Sequence, residues 1–228
     1  MRPRFYTSPG RSRPHRLGRD AVALAARAGL ELDSEQQLVL VESLRRDRGG
    51  RWRSLEVGVN EPRQNGKGGI VEGRKLAGVF LLHEPLQVYS SHQFDTSLQA
   101  LERFEGLLTE LGLLGDDGRP SGREVCGVSV ARVVKSHGEE GLTFTHRRGR
   151  SKIRYRTRTR GGGRGFSADT VYLDEAMVIS SAMHGALMPT LSGRTPWVSK
   201  TGPSRRVCGC VMRPSRLHAY QPGKMRDG

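Results

Sequence analysis

The chain has 228 residues, which is long enough for one α/β domain with a sizeable core. Hydrophobic residues make up only 35% of it, and 30 glycines with 11 prolines indicate much loop, so we expect the core to be concentrated in part of the sequence. The formal net charge of +15 favours a polyanionic partner such as nucleic acid, and the lack of any run of about 18 apolar residues argues against a membrane protein.

The first part of the chain predicts a basic arm, two helices and a strand. Residues 1–19 hold six arginines and no acid, which predicts a disordered arm, and the domain is expected to begin near Asp20. The stretch "AVALAARAGL" predicts a short helix, and "LDSEQQLVLVESLRR" predicts a second one capped by Asp33 or Ser34. "SLEVGVN" then predicts a strand.

Helices and strands alternate through the rest of the predicted domain. "GGIVEGRKLAGVFLL" predicts a helix, "LQVYSS" a strand, and "TSLQALERFEGLLTELGLL" an amphipathic helix. "REVCGVSVARVVKS" fits either a helix or a strand, whereas "LTFTH" and "SKIRYRTRT" predict a hairpin. "TVYLD" predicts a buried strand and "EAMVISSAMHGALM" a helix after it. The order predicts an α/β domain with a mainly parallel sheet.

A candidate phosphate-binding loop, "EPRQNGKGG", lies between a predicted strand and a predicted helix. Backbone N–H groups at such a turn, the helix N-terminus and the lysine can together hold a phosphate. Two residues depart from the general pattern, because Glu61 replaces a glycine and Gly68 replaces the Ser or Thr whose hydroxyl binds Mg²⁺. The loop alone fits either a nucleotide site of reduced Mg²⁺ affinity or a glycine-rich surface turn.

An acidic pair, Asp174 and Glu175, ends the predicted strand "TVYLD". In a phosphate-loop motor, an aspartate here holds Mg²⁺ and the adjacent glutamate orients and deprotonates the attacking water. The alternative is that Asp174 only caps the next helix. Since the loop and the acidic strand occur together in the expected order, we predict a P-loop NTPase fold that uses ATP and Mg²⁺.

Several motifs together resemble the large terminase subunit of tailed bacteriophages. They are "EPRQNGKG" with "EGRKLAGVFLL", "VYSSHQFDTS", "SHGEEGLTF", "RTRTRGGGRGFSADTVYLDEA" and "ALMPTLSGR", and they run from about Leu30 to Arg194. In that family the loop often has Pro-Arg-Gln-Asn where the first glycine would be. The resemblance implies an ATPase motor that couples ATP hydrolysis to the movement of double-stranded DNA.

The resemblance also assigns roles to individual residues. It implies that Glu175 and Arg63 are catalytic, that Asp174 holds the metal, and that Gln36 contacts the adenine, with Glu35 replacing an aromatic neighbour. The resemblance implies that the nucleotide is also bound by Gln64, Asn65, Gly66, Lys67 and Gly68. It implies a role in coupling the nucleotide to DNA, or in sensing it, for His92, Gln93, Thr96 and Arg164. Solvated loop residues are the alternative for His92 and Arg164.

The sequence departs from the family after Arg194. The stretch 195–228 has no helical or strand period, contains two of the three cysteines, Cys208 and Cys210, and lacks the pairing of a zinc site. We therefore expect domain boundaries at 20 and 194, a frameshift or truncation near Arg194, no nuclease activity, and an acidic strand near an unprotected sheet edge. The basic tail is either a solvated segment or a nucleic-acid contact.

Family resemblance implies further partners and leaves alternatives open. The implied partners are double-stranded DNA, a small terminase subunit, a portal and further copies of the chain in a ring, in the cytoplasm of a bacterial host. One alternative is an inactive prophage remnant or a non-catalytic basic nucleic-acid-binding fragment. A cellular helicase-like ATPase is a further alternative, but it lacks the joint pattern "RTRTRGGGRGFS" with "DEA".

Overall fold

The computed structural model describes residues 16–46, 52–54, 56–59, 66–136, 138–157 and 167–176, together with the backbone of 206–208. In chain order, the elements are α1 (Arg16–Arg27), α2 (Ser34–Ser43), β1 (Glu56–Val57), α3 (Lys67–Phe80), β2 (Leu86–Ser91), α4 (Phe94–Glu110), β3 (Val128–Val134), β4 (Gly141–His146), β5 (Gly149–Thr157), β6 (Thr170–Leu173) and β7 (Arg206–Cys208). Among these helices, none is long and apolar enough to cross a membrane.

The strands form one mixed sheet in the order β1-β7-β6-β2-β5-β4-β3. The neighbouring pairs β1–β7, β7–β6, β6–β2 and β2–β5 are parallel. At the other end of the sheet, β5, β4 and β3 form an antiparallel meander. The predicted mainly parallel α/β fold and the predicted hairpin are therefore confirmed. The segment that fitted either a helix or a strand forms β3.

Helix α3 lies at the centre of the domain, because all of its residues from Ile70 to Phe80 are buried. One side packs with α4 against the sheet in a core that includes Leu76, Phe104 and Phe144. The other side packs against α1 and α2 in a second core. On the sheet side, a glycine permits close contact, since a Cβ at Gly78 would lie 2.4 Å from the side-chain amide nitrogen of Gln87 on β2.

A buried ionic cluster joins α3 to the start of β6. The guanidinium of Arg74 donates to both carboxylate oxygens of Glu84, at 3.1 and 2.6 Å, and to the hydroxyl of Thr170 at 3.1 Å. The Thr170 hydroxyl donates in turn to Glu84 at 3.0 Å. Charges buried this deeply are tolerated because they are paired and hydrogen-bonded, so the cluster fixes β6 relative to α3.

Three expectations differ from the structure at the ends of the domain. Helix α1 begins at Arg16, four residues before the expected start at Asp20. Strand β7 lies in the tail that was expected to contain no strand, and a three-residue strand is too short to give a recognisable period. The acidic strand β6 is also not at an edge, because it pairs with β2 on one side and β7 on the other. The helix predicted after β6 lies outside the described residues.

Candidate functional site

The candidate site lies at the edge of the sheet where the parallel strands end. Strands β1, β6 and β2 all run in the same direction, so their carboxyl ends meet at this edge. One strand separates β1 from β6, which places their ends about 10 Å apart. Four of the predicted site residues, Arg63, Gln64, Asn65 and Arg164, lie outside the described residues.

Gly66 ends the loop and caps α3. Its φ of 78° is in the left-handed region, which glycine adopts without steric cost. Its carbonyl accepts a hydrogen bond of 3.0 Å from the side-chain amide of Gln36, and a Cβ at Gly66 would lie 2.1 Å from that nitrogen. A larger residue at this position would therefore displace Gln36 as well as strain the backbone.

Gln36 is held in place from its own helix. Asp33 caps α2 through hydrogen bonds of 2.8 Å from the backbone N–H groups of Glu35 and Gln36, and the Gln36 Oε1 accepts from the Asp33 N–H at 2.9 Å. This reciprocal capping box leaves Nε2 directed at Gly66. Gln36, which the sequence predicts to contact the nucleotide, thus contacts the end of the loop. Its side-chain amide keeps one N–H donor and one acceptor position on the oxygen for a further partner.

Lys67 and Gly68 form the first turn of α3, where backbone N–H groups have no partner within the helix. Lys67 is half-buried and Gly68 is exposed. Among the described residues, and apart from the adjoining backbone of α3, no atom lies within 4 Å of a Cβ built at Gly68. The described part of the site therefore leaves room for the hydroxyl that this sequence lacks.

Asp174 directly follows β6, and both of its carboxylate oxygens accept hydrogen bonds. The Tyr89 hydroxyl donates to Oδ2 at 2.5 Å, and the Glu175 N–H donates to Oδ1 at 2.9 Å. The Asp174 N–H continues the sheet by donating to the Ser90 carbonyl at 2.9 Å. Both the backbone and the side chain of Asp174 are thereby fixed at the end of β6.

Glu175 has a left-handed backbone, with φ of 50°, and an exposed side chain. This conformation costs a residue with a Cβ about 1–3 kcal/mol, and such strain often occurs at functional sites. A glycine would adopt it at little cost. The strained, exposed carboxylate beside Asp174 therefore makes Glu175 a candidate site residue.

The predicted coupling residues follow β2, the direct neighbour of β6. His92 and Gln93 are exposed, and Thr96 lies half-buried in the first turn of α4. The Ser91 hydroxyl fixes this turn by donating to the Gln93 carbonyl at 2.5 Å and by contacting the Ser97 hydroxyl at 2.6 Å. These three residues thus share the sheet edge with Asp174.

Sequence reasoning missed three buried residues behind Asp174, namely Tyr89, Lys75 and Glu72. The Lys75 ammonium lies 2.7 Å from the Glu72 carboxylate and donates to the Tyr155 hydroxyl at 3.1 Å, and its nitrogen is 5.0 Å from the centre of the Tyr89 ring. The sequence did contain a signal for these residues. A tyrosine in a buried strand and charged residues on all sides of a buried helix need polar partners.

Burial shifts the pKa values of this group of residues. It lowers the pKa of Lys75 and raises that of Glu72, and the ion pair between them opposes both shifts. Burial, and then the negative charge of Asp174, raise the pKa of Tyr89 far above its ordinary value of 10.0. Tyr89 therefore remains a protonated donor to Asp174 throughout the physiological pH range.

The donor set at this edge fits Mg²⁺. In the described residues, no group of three or more His, Cys, Asp or Glu side chains is placed to hold a metal. Mg²⁺ usually binds through one or two carboxylates together with phosphate oxygens and waters, rather than in an all-protein cage. A single Asp174, held by two hydrogen bonds and outside any carboxylate cage among the described residues, matches that preference.

Comparisons with known proteins agree with this architecture. No protein-family model matches the chain, and no curated protein matches it by sequence. The structure is similar to the large terminase of bacteriophage HK97, with a TM-score of 0.58 and 12% identity over 84% of this chain and 37% of that one. It is also similar to the large terminase ATPase domain of Thermus phage P74-26, with a TM-score of 0.50 and 19% identity over 89% of this chain and 71% of that one.

The likeness at these low identities concerns the fold. The chain spans little more than a third of the length of the HK97 protein. It has the fold of a phage large terminase ATPase domain.

Proposed function

We propose that this chain, which has the fold of a phage large terminase ATPase domain, is the ATP-hydrolysing motor domain of a DNA-packaging terminase. The observation that carries the proposal is the placement of Asp174 and Glu175 at the end of buried β6. One carboxylate is fixed by two hydrogen bonds, and the next is exposed on a strained backbone. A helix cap does not require either feature.

Each described site residue has a role in this proposal. Lys67 and the N–H groups of the first turn of α3 bind the phosphates of ATP. Asp174 holds Mg²⁺, which when bound offsets the charge of the phosphate oxygens. Glu175 orients the attacking water and accepts its proton. Tyr89 acts as a positioning residue, since it fixes the orientation of Asp174.

Other assignments rest on the sequence resemblance alone and remain part of the proposal. Arg63 stabilises the γ-phosphate, Gln64 and Asn65 line the loop, and Arg164 senses the nucleotide. His92, Gln93 and Thr96 couple the nucleotide to double-stranded DNA, and their position beside β6 supports this role. The proposed partners are duplex DNA, a small terminase subunit, a portal and further copies of the chain.

Gln36 has two roles in the proposal. Its hydrogen bond to the Gly66 carbonyl fixes the end of the loop, and its remaining donor and acceptor contact the adenine. Because Glu35 supplies no aromatic ring, this contact lacks stacking energy, and the site discriminates weakly between ATP and GTP.

Nucleotide binding by the purified full-length chain tests the proposal. We expect a fluorescent ATP analogue to bind in the presence of Mg²⁺, and Lys67→Ala to weaken binding by at least about tenfold, which corresponds to about 1.4 kcal/mol. Arg123→Ala serves as the control, because it removes an exposed cation that is far in sequence from Lys67. This variant should bind the analogue as the wild type does. Absent binding, or equal effects of the two substitutions, would favour a non-catalytic nucleic-acid-binding fragment.

A further inference from the structure

Strand β5 carries a row of basic side chains on one face of the sheet, of which Arg150 and Lys152 are exposed and Arg154 and Arg156 half-buried. Ser151, Ile153 and Tyr155 are buried in the core, so the residues that alternate with them point to the opposite face of the sheet. The alternating residues are all cationic, namely Arg150, Lys152, Arg154 and Arg156. Successive members of such a row lie about 6.7 Å apart along the strand.

A β-bulge adds a cation from β3 to the same face. The pairing of β3 with β4 shifts between Val130 and Arg132, which leaves one extra residue in β3. Arg132 consequently lies opposite Thr143, and Thr143 lies opposite Lys152 on β5. Without the extra residue, the alternation would direct Arg132 into the core. The bulge therefore sets Arg132 in a cross-strand row with Lys152.

The surface formed by Arg132, Arg150, Lys152, Arg154 and Arg156 is here called the basic sheet face. Strands β3, β4 and β5 contain no acidic residue. In the part of the chain that the structure describes, no carboxylate forms an ion pair with Arg132, Lys152 or Arg154, whereas nearby Lys135 is paired with Glu105 at 2.8 Å. No carboxylate of the described residues therefore offsets the repulsion among Arg132, Lys152 and Arg154, as expected of a surface that meets a polyanion.

Within β3, β4 and β5, the same face carries no Phe, Tyr or Trp side chain. The aromatic residues of β4 and β5, Phe144 and Tyr155, are buried on the core side. Between the cations lie small hydroxyl residues, Thr143 and Thr145, which can donate to phosphate oxygens. Proteins that bind single strands normally stack the bases on exposed aromatic rings. The composition therefore favours contact with the backbone of a duplex.

We propose that the basic sheet face binds the phosphate backbone of duplex DNA. The choice of duplex over single-stranded nucleic acid rests on the composition of this face, and the choice of DNA rests on the proposed motor function, whereas the position of the surface rests on the strand geometry. Contact with a regular backbone through several separate cations gives affinity without sequence preference, which suits a protein that must move along its partner.

Salt-dependent binding of a short labelled DNA duplex to the full-length chain, without nucleotide, tests this proposal. The triple variant Arg132→Gln, Lys152→Gln, Arg154→Gln should reduce the slope of log K against log salt by about 2–3, because each lost phosphate contact removes about 0.9. The single variant Lys152→Gln should reduce it by about 0.9. An unchanged slope in both variants would overturn the proposal and place the contact elsewhere, for example in the basic ends.

A charge-matched control separates the surface from net charge. Arg19, Arg27 and Arg123 are exposed outside β3–β5, and changing all three to Gln removes the same charge. The control should keep the wild-type slope, and an equal loss would overturn the proposal. An equal loss of affinity for single-stranded DNA or RNA would also overturn the assignment to duplex. If the wild type fails to hydrolyse ATP but the triple variant still loses DNA, the motor proposal fails and this one stands.

Discussion

Replacing Tyr89 with Phe removes one atom from the candidate site and is expected to weaken its hold on Mg²⁺. The lost hydroxyl donates to Asp174 Oδ2 at 2.5 Å, and Tyr89 is only 2% exposed. A hydrogen bond to a charged group contributes about 1.5–3 kcal/mol. Loss of a residue that orients a metal ligand typically costs about 10–100-fold in metal affinity. We therefore expect the Mg²⁺ concentration for half-maximal nucleotide binding to rise within that range.

Tyr172→Phe is the matched control for this substitution. Tyr172 lies directly opposite Tyr89 on β6, is equally buried, and donates its hydroxyl to Gln87 at 2.6 Å, away from Asp174. Both variants lose one buried hydrogen bond, so both should lose some thermal stability. Only Tyr89→Phe should change the Mg²⁺ titration, measured with a fluorescent ATP analogue and, independently, by Mn²⁺ electron paramagnetic resonance. Equal metal titrations for the two variants would refute the positioning role.

Three further substitutions test the site and its surroundings. Gly68→Ser should lower the Mg²⁺ requirement for nucleotide binding, because no described residue outside the adjoining backbone crowds the position and the added hydroxyl can bind the ion. Gly106→Ser in α4, equally uncrowded by the described residues, should only raise the stability, by about 0.3–0.5 kcal/mol. Glu175→Gly should raise the melting temperature, because glycine adopts the φ of 50° without the strain that a Cβ causes. The same substitution should abolish ATP hydrolysis. A loss of stability would contradict the inferred strain. The rings of His83 and His146 are stacked with their centres 4.4 Å apart, and burial is the main cause that lowers the pKa of each below the ordinary 6.5. The folded state therefore takes up fewer protons than the unfolded state, so the free energy of unfolding decreases as the pH falls below about 6.5. His146→Phe should flatten that pH dependence in urea unfolding, and an unchanged slope would exclude the pair as its source.

Local sequence patterns predicted most of the elements correctly. Alternating and helical periods identified β2, β4, β5, β6 and the helices α1 to α4, because each of these elements buries one face or its whole length. The cap at Asp33 followed from its side chain, which can satisfy free N–H groups at the start of α2. Strand β7 escaped prediction, since three residues give no period.

Contacts across the sheet could not be predicted in the same way. Tyr89 reaches Asp174 because β2 and β6 pair in a particular parallel register, which depends on packing rather than on either strand alone. Arg132 joins the basic sheet face only because of a one-residue bulge. The left-handed backbone of Glu175 likewise has no local signature, since glycine is the residue expected there.

Phosphate release from ATP by the full-length chain in saturating Mg²⁺ tests the central claim most directly. Glu175→Gln should bind ATP as the wild type does but hydrolyse it at least about 100-fold more slowly, because a general base contributes about 10²–10⁴ to the rate. Glu102→Gln, at an exposed position of α4, is the matched control and should retain the wild-type rate. A wild type that binds but does not hydrolyse ATP, or a Glu175→Gln variant that hydrolyses it at the wild-type rate, would contradict the account.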